Sequence, residues 1–259
     1  MLNLAGDGAQ FARSRCSIWG GILTRIAKTL YNTYSTCKIV SQEHCRKAAN
    51  RRYLAGPRPC LPWDFHKPCL GCYTCFQTDL SHCPHYQELE PLAAAIREAD
   101  LLILASPVYV YHASGQMMSF LDHFGTWWMV HRPLPEMSRK QAVAISTAAG
   151  GGMKRTAQDM ADSLEMWGIR NVYRLGFGVQ ALKPDEIPGR ILKRIDRKTD
   201  RLAARIRKNA GKQGCNARAK KWFYLMRLAH NHFPPMEPDH GYWEARGWHG
   251  RSRPWRMDG

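Results

Sequence analysis

The apolar pattern is clearest between residues 86 and 179, where helical and strand spacing alternate. Residues 101–105, LLILA, form an uncharged apolar run that is typical of a strand buried on both faces of a parallel sheet. Pro107 ends this run, because proline has no N–H to donate to a sheet ladder. Ser114 is a good helix N-cap. Apolar residues then recur at helical spacing: Met117, Phe120, Leu121 and Phe124. This unit is predicted to be strand, loop, helix.

The same alternation continues on both sides of this unit. A helical stripe leads to Asp100, and it consists of Leu89, Leu92, Ala93, Ile96 and Ala99. Residues 141–147 form a second buried strand, residues 153–167 a helix that Gly168 ends, and residues 171–179 a third strand. Strands and helices in this order predict βαβ units, and therefore an α/β fold with a parallel sheet and right-handed crossovers.

Two successive strands are followed by loops that are poor in large charged groups. Ligands of open α/β sheets bind at the carboxyl edge, where these loops lie. Small residues let backbone amides approach a planar cofactor closely, and Tyr109 and Tyr111 can add aromatic surface. Residues 150–152, Gly-Gly-Gly, could by themselves be just a tight turn. Because two such loops follow neighbouring strands, we predict a cofactor site at this edge.

Composition limits the class of protein. A chain of 259 residues with 44% hydrophobic content can bury one main core, so we expect one domain with an extension. It contains no apolar run near the roughly 18 residues of a membrane span, and no pattern of a secretory signal. We therefore expect a cytoplasmic protein whose nine cysteines are ligands or free thiols.

Four cysteines form a candidate metal site, and they are Cys69, Cys72, Cys75 and Cys83. Two successive spacings of two residues, with a fourth thiol within reach, suit an iron–sulfur cluster or a tetrahedral zinc ion. The alternative is that some are buried thiols lining a loop beside a cofactor. His82 and His85 could also ligate a metal, although we interpret two histidines beside a helix start as surface residues.

These residues resemble a known family. Ser106-Pro-Val-Tyr109, Ser114-Gly-Gln-Met117 and Phe120-Leu-Asp122, preceded by the cysteine block, are similar to the flavodoxin-fold NAD(P)H-dependent FMN reductases and their iron–sulfur flavoprotein relatives. The resemblance covers residues 67–179 and returns at residues 242–248. It implies a three-layer α/β/α sandwich with a flavodoxin-like parallel sheet of strand order 2-1-3-4-5. It also implies that two loops border the flavin, with the residues Ser106, Pro107, Val108, Tyr109, Thr147, Ala148, Ala149, Gly150 and Gly151.

The resemblance implies an oxidoreductase of class EC 1. FMN would be the cofactor, NAD(P)H the hydride donor, and the acceptor is undefined; we also expect a homo-oligomer. No side chain is an obvious catalytic acid or base. One alternative is an iron–sulfur flavoprotein electron carrier that uses the four cysteines. The other alternative is a flavin-deficient, non-catalytic relative.

The N-terminal segment departs from the family. Such proteins begin with a strand and a Gly-Ser-x-Arg-type loop that binds the FMN phosphate, and the nearest piece here is residues 20–24, GGILT. The first strand is poorly defined, although residues 38–40 resemble a strand end. Either a divergent phosphate site or a frame-shifted segment explains this. We therefore expect weak FMN binding, and we divide the chain into an irregular segment 1–66, a flavodoxin-like domain 67–212 and an extension 213–259.

The net charge of +17 is concentrated in the C-terminal third. Residues 190–208 carry many arginines and lysines beside an apolar stripe, so this helix could contact nucleic acid or an acidic membrane surface. A solvated outer helix is the favoured interpretation, because Asp196 and Asp200 interrupt the basic charge. We expect Trp243, Trp248 and Trp255 to pack on the parent domain, although they could instead cover a partner subunit or the flavin.

Overall fold

A computed structural model describes residues 37–42, 60–61, 64–181 and 186–256. Within them, five strands form one parallel sheet: β1 (Cys37–Gln42), β2 (Cys60–Leu61), β3 (Leu101–Pro107), β4 (Gln141–Ala148) and β5 (Asn171–Gly178). The helices are α1 (Thr74–Gln77), α2 (Tyr86–Glu98), α3 (Gly115–Asp122), α4 (Met153–Met166), α5 (Gly189–Lys208), α6 (Ala217–His232) and α7 (Asp239–Glu244). Short 3-10 helices span Leu80–His82, Gly125–Trp127 and Pro135–Arg139.

The strand order is β2-β1-β3-β4-β5, and every neighbouring pair is parallel. This is the flavodoxin-like order 2-1-3-4-5, so the predicted fold class is confirmed. The central strand β3 is fully buried over its first six residues, as its uncharged sequence predicts. Ser114 caps α3 as predicted, since its side chain accepts a hydrogen bond from the Met117 N–H.

The first strand is well defined in the structure, although the sequence left it poorly defined. Cys37–Gln42 pairs with residues 101–105 of β3 on one side and with β2 on the other, so it occupies the middle of the sheet. Buried strands are usually continuous apolar runs. Because β1 contains the polar residues Lys38, Ser41 and Gln42, its sequence does not identify it as a central strand. Two strands thus come from the segment expected to be irregular. The division of the chain at residues 67 and 213 itself stays a prediction.

In this fold the phosphate loop follows the first strand. Because β1 ends at Gln42, the phosphate loop is expected after that residue. Residues 20–24, the nearest match by sequence, lie before β1 along the chain and so cannot be the loop that follows it. Whether residues 20–24 form a divergent phosphate site stays a prediction. Residues 43–59 connect β1 to β2, and both they and residues 20–24 lie outside the described residues.

Helices cover both faces of the sheet, which gives the three layers. One face carries α2, α3 and α4, and its core joins Leu102 and Leu104 of β3 to residues such as Ile96, Met117 and Met160. The other face carries α5, whose buried side chains include Ile191, Ile195, Leu202 and Ile206. Most basic residues of α5 are exposed, as expected for an outer helix, whereas Lys198 and Arg205 lie over the rings of Phe177 and Tyr173. Contact of α5 with nucleic acid or a membrane stays a prediction, and among the described helices none is long and apolar enough to cross a bilayer.

The C-terminal residues build a second, smaller core. Phe223 of α6 stacks on Trp243 of α7 with ring centroids 4.7 Å apart, and Trp248 and Trp255 pack edge-on to Phe223. Trp243 is fully buried and donates a hydrogen bond from Nε1 to the His131 carbonyl at 2.5 Å. The three tryptophans therefore pack within the chain, and their core docks on the segment that precedes β4.

Candidate functional sites

The loop after β3, residues 108–113, is a tight turn that lies against β4. The Val108 N–H donates to the Thr147 carbonyl at 3.1 Å. Tyr109 and His112 exchange two backbone hydrogen bonds, each 2.9 Å long. Val110 and Tyr111, at the tip between them, have left-handed φ angles of 48° and 66° and exposed side chains. We call this segment the β3 loop; its backbone bonds place it beside the end of β4.

Two polar side chains anchor the ends of the β3 loop. Ser106 is fully buried, and its Oγ accepts a hydrogen bond from the Ser114 N–H at 3.0 Å, which ties the end of β3 to the start of α3. Asp159 of α4 is also buried and accepts hydrogen bonds from the Ala113 N–H at 3.0 Å and from His112 Nδ1 at 3.2 Å. Arg155 pairs with its other oxygen at 3.0 Å. Two buried side chains thus hold the β3 loop in place.

The loop after β4, residues 149–152, lies beside the β3 loop and has an open surface. We call it the β4 loop. A Cβ built on Gly150 meets no atom within 4 Å, and one built on Gly151 meets Tyr111 Cε1 at an ordinary 3.8 Å. Gly152 differs, because its φ is +92° and a Cβ there would lie 2.6 Å from Val108 Cγ1. Gly152 is therefore required by the fold, whereas Gly150 and Gly151 leave space for a ligand.

The structure brings the predicted flavin residues to one edge, with different exposures. The side chains of Ser106 and Thr147 are buried, so they shape the edge and do not face solvent. Half-buried residues follow, and they are Pro107, Val108, Tyr109 and Ala148. Ala149, Gly150 and Gly151 are exposed. A surface of small residues and backbone beside two tyrosines is chemically suited to an isoalloxazine ring, and assigning FMN to it stays a proposal.

The cysteine loop, residues 69–83, winds its thiols around one cavity. Cys69, Cys72, Cys75 and Cys83 all line a cavity of about 200 Å³, together with apolar Leu70, Tyr73 and Phe76. Gly71 and Tyr73 have left-handed φ angles of 63° and 59°, which allow the tight turns between the first three cysteines. Cys69 and Cys72 are exposed and the other two are half-buried. A ligand in the cavity could therefore be reached from solvent.

The protonation of the thiols reflects their proximity. Burial raises the pKa of Cys75, and repulsion from the thiolates of Cys83, Cys69 and Cys72 raises it further. A hydrogen bond from the Thr74 hydroxyl lowers the pKa of Cys72, with Oγ1 3.4 Å from Sγ. Cys215, outside this loop, is buried and its pKa is raised to about 12. Four thiols on one cavity form a donor set that suits an iron–sulfur cluster.

His85 and His123 line the same cavity. His85 Nδ1 lies 3.2 Å from His123 Nε2, and His123 Nδ1 lies 2.8 Å from the Ser119 carbonyl. His123 is 2% exposed, and this burial lowers its pKa. The expectation that His82 and His85 are plain surface residues thus holds for exposed His82 but is wrong for His85, which is half-buried against His123.

A buried arginine connects the cysteine loop to the C-terminal core. Arg132 donates to the carbonyls of Cys75 and Thr78, just where α1 ends. Its Nε also lies 3.0 Å from Asp239 Oδ1, and Asp239 accepts a 2.7 Å contact from His131 Nδ1. Arg132 and Asp239 are 7% and 9% exposed. The position of Cys75 therefore depends on residues far along the chain.

Sequence reasoning missed Asp159, His123 and Arg132. A charged residue at position 159, directly before Met160 of the apolar stripe, is a signal that could have indicated a buried anchor. His123 follows Leu121 and precedes Phe124 in an apolar stretch, which also hints at burial. No local pattern marks Arg132, because its partners are carbonyls and a carboxylate that only the tertiary fold brings to it.

Comparison with known proteins gives the family context. Residues 58–180, which contain the cysteine loop and both sheet-edge loops, match the family model described as NADPH-dependent FMN reductase. The chain is 29% identical over 181 residues to the iron–sulfur flavoprotein of Archaeoglobus fulgidus, covering 69% of this chain and 78% of that protein. It is 31% identical over 98 residues to an iron–sulfur flavoprotein of Methanocaldococcus jannaschii, covering 36% and 46%.

Matches among solved structures have lower sequence identity. An NADH:FMN oxidoreductase in its apo form has 14% identity and a TM-score of 0.42, covering 66% of this chain and 90% of that one. A flavone reductase has 14% identity and a TM-score of 0.44, covering 67% and 63%. The strand order established above carries the fold assignment independently of these structures.

Proposed function

We propose that the chain is a member of the NADPH-dependent FMN reductase family, whose model matches residues 58–180, and that it binds FMN at the β3 and β4 loops and oxidises NAD(P)H. The observation that carries the proposal is the open backbone surface at Gly150 and Gly151, beside the β3 loop on the neighbouring strand. When bound, FMN supplies the group that accepts a hydride from the nicotinamide and later passes two electrons to an acceptor.

The chain's own contribution is to position and cover the cofactor. The β3 and β4 loops would orient the ring through backbone groups, with Tyr109 and Tyr111 as aromatic neighbours. Asp159 and Ser106 hold the β3 loop in place from beneath and have no contact with the cofactor surface in this proposal. The titratable side chains of the β3 loop, Tyr109, Tyr111 and His112, would not have to transfer a proton for hydride transfer to occur.

FMN affinity depends on the phosphate as well as the ring. The family's Gly-Ser-x-Arg-type loop is missing from the sequence, and each charge-assisted hydrogen bond to a phosphate contributes about 1.5–3 kcal/mol. Weak FMN binding therefore remains our prediction. Titration of flavin-free protein with FMN measures it: micromolar or weaker dissociation agrees with the prediction, and tight stoichiometric binding means that another segment forms a phosphate site.

The ring site is tested by replacing Gly150 or Gly151 with valine. Because a Cβ fits at both positions without a clash, the fold should tolerate the change while the added methyl groups obstruct the ring. We expect FMN affinity and the rate of NADPH oxidation at fixed FMN to fall at least about tenfold, which is about 1.4 kcal/mol in binding.

A matched control for these variants is Ala204→Val. Ala204 is exposed in α5 and precedes Ile206, whose carbonyl accepts a hydrogen bond from Gln141 at the start of β4. It therefore lies toward the amino edge of the sheet, opposite the proposed ring. Unchanged FMN affinity in both glycine variants, at wild-type thermal stability, would count against the assignment.

The second candidate function is an electron carrier in which a cluster on the cysteine loop exchanges electrons with FMN. The cavity lined by Cys69, Cys72, Cys75 and Cys83 favours it. Iron and sulfide analysis after anaerobic purification tests it, with Cys72→Ala as the variant and Cys215→Ala as a control that removes a buried thiol elsewhere. Loss of iron in Cys72→Ala but not in Cys215→Ala supports a cluster, and a wild-type protein without iron leaves only a thiol-lined loop.

An absorbance spectrum of the purified protein separates the three alternatives. Flavin alone indicates the reductase, flavin with a cluster indicates the electron carrier, and a spectrum with neither, even after FMN is added, indicates the flavin-deficient relative.

A further inference from the structure

The cavity of the cysteine loop contains a second group of ligand atoms besides the four thiols. Cys83, His85 and His123 each offer one ligand atom, and these three atoms all lie within 4.8 Å of one another. Among the described residues, this is the group of three or more histidine, cysteine or acidic side chains whose ligand atoms come this close together. The set uses one thiol of the cysteine loop and two histidines that the four-cysteine site does not need.

The orientation of His123 is that of a metal ligand. Its Nδ1 lies 2.8 Å from the Ser119 carbonyl, and a carbonyl can only accept, so Nδ1 carries the proton. The lone pair is then on Nε2, which faces His85. A ligating histidine almost always donates its other ring N–H in this way, because the hydrogen bond fixes the tautomer and the ring. Phe65 packs edge-on to His123 at 5.0 Å and holds the ring further.

The spacing of the two imidazoles also suits a metal ion. Two nitrogens that are each about 2.0–2.1 Å from a tetrahedral zinc ion lie about 3.3–3.4 Å apart. His85 Nδ1 and His123 Nε2 are 3.2 Å apart. One thiolate and two imidazoles form a borderline-soft donor set that zinc prefers. These three side chains leave the fourth position of a tetrahedral ion to a water molecule.

We propose that Cys83, His85 and His123 bind a single zinc ion, with a ligand set that shares only Cys83 with a four-thiolate cluster. Cys83 belongs to both ligand sets, so a mononuclear zinc and a cluster that uses Cys83 are alternative occupants of this cavity. The proposal does not depend on FMN binding, since the loops at the sheet edge contribute no ligand to it.

The test uses the full chain, prepared free of iron and zinc under anaerobic reducing conditions. Co²⁺ is titrated as a spectroscopic probe, and Zn²⁺ affinity is measured by competition with a chelator. We expect one ion per chain with thiolate-to-cobalt absorption. The double variant Cys69→Ala/Cys72→Ala, which cannot hold a four-thiolate site, should bind Zn²⁺ within about threefold of the wild type.

The histidine variants should have the opposite effect from the double cysteine variant, because they remove ligands of the proposed zinc site. His85→Ala should weaken Zn²⁺ binding at least a hundredfold, and because His85 is half-buried the change should leave the fold intact. His123→Ala should do the same, and its thermal midpoint without metal is compared with wild type to detect misfolding. His82→Ala is the matched control, since exposed His82 pairs with Asp79 and should leave affinity unchanged. Loss of binding in the double cysteine variant, retention of binding in His85→Ala, or no stoichiometric binding to the wild type overturns the proposal.

Discussion

The sheet edge and the cysteine loop are both open to solvent, but they are held in place by different forces. The sheet edge is fixed by backbone bonds between adjacent strands, such as Val108 to Thr147 and Val179 to Ala148, and the β3 loop is held in addition by Ser106 and Asp159. The cysteine loop is fixed by a buried side chain, Arg132, which comes 54 positions after Thr78 and pairs with Asp239 of the C-terminal core. The cysteine loop should therefore respond to changes in the C-terminal core, whereas these supports of the sheet edge lie on β3, β4 and α4.

The largest expected effect follows from removing Arg132. In Arg132→Met the buried carboxylate of Asp239 loses its arginine partner, and the carbonyls of Cys75 and Thr78 lose their donor. Breaking a buried pair by removing one partner costs about 3–5 kcal/mol. Urea unfolding should show a loss of this size, and iron content should fall while FMN affinity of the folded fraction is unchanged.

Arg218→Met is the control for this change. Arg218 is partly exposed and pairs with Asp162 and Glu165, so its loss should cost less than about 1 kcal/mol. Equal effects of the two variants would contradict the view that Arg132 specifically supports the cysteine loop.

A smaller effect is expected at the β4 loop, where the geometry of Gly152 determines how the loop packs against the β3 loop. Gly152→Ala places a Cβ at a φ of +92° and within 2.6 Å of Val108 Cγ1. The strained backbone and the clash together should destabilise the protein by roughly 1–3 kcal/mol. Gly150→Ala, which meets nothing within 4 Å, should change the free energy of unfolding by less than about 0.5 kcal/mol. Similar losses in both variants would show that the two glycines do not differ as described.

The smallest expected effect is a loss of folding stability at acidic pH, which arises in the C-terminal core. Burial lowers the pKa of His230, and repulsion from His249 and His240 lowers it further. The unfolded chain then binds a proton near pH 6.5 while the folded chain does not, so stability falls as the pH drops from about 6.5 toward the lower folded pKa. The slope from one such group is at most about 1.4 kcal/mol per pH unit.

His230→Phe keeps an aromatic ring against Trp243 and removes the titration, so the loss of stability in acid should be smaller. Exposed His232→Phe, in the same helix, should leave the pH dependence unchanged.

The order in which the two regions open in acid is a separate test of the comparison. At pH 5.5, the backbone amides of the cysteine loop should exchange their hydrogens faster than those of the β4 loop. If the β4 loop opens first, the contrast between the two regions is wrong.

The fold could be predicted wherever the sequence repeats a local rule. Residues 101–105 are apolar without interruption, and Ser114 precedes a helical stripe, so β3 and α3 follow from pattern alone. β1 could not be predicted with the same ease, because Lys38, Ser41 and Gln42 interrupt its apolar character and only pairing with β3 defines it.

The candidate sites divide in the same way. The spacing of the four cysteines indicated one metal or cluster site; all four line one cavity, and the metal itself stays a prediction. The partners that orient this cavity could not be predicted, because Arg132 and His123 act through contacts between distant segments. Asp159 is an intermediate case, since its place beside an apolar stripe hinted at burial but not at its partner, the Ala113 N–H.

The central claim is that the chain has two separate sites, one for FMN at the sheet edge and one for metal at the cysteine loop. It is tested most directly by measuring FMN affinity and iron content on the same anaerobic preparations of Gly151→Val and Cys72→Ala. We predict that Gly151→Val binds FMN at least about tenfold more weakly and keeps its iron, and that Cys72→Ala loses its iron and keeps its FMN affinity. If either variant loses both groups while remaining folded, or if neither variant loses any, the account of two independent sites is contradicted.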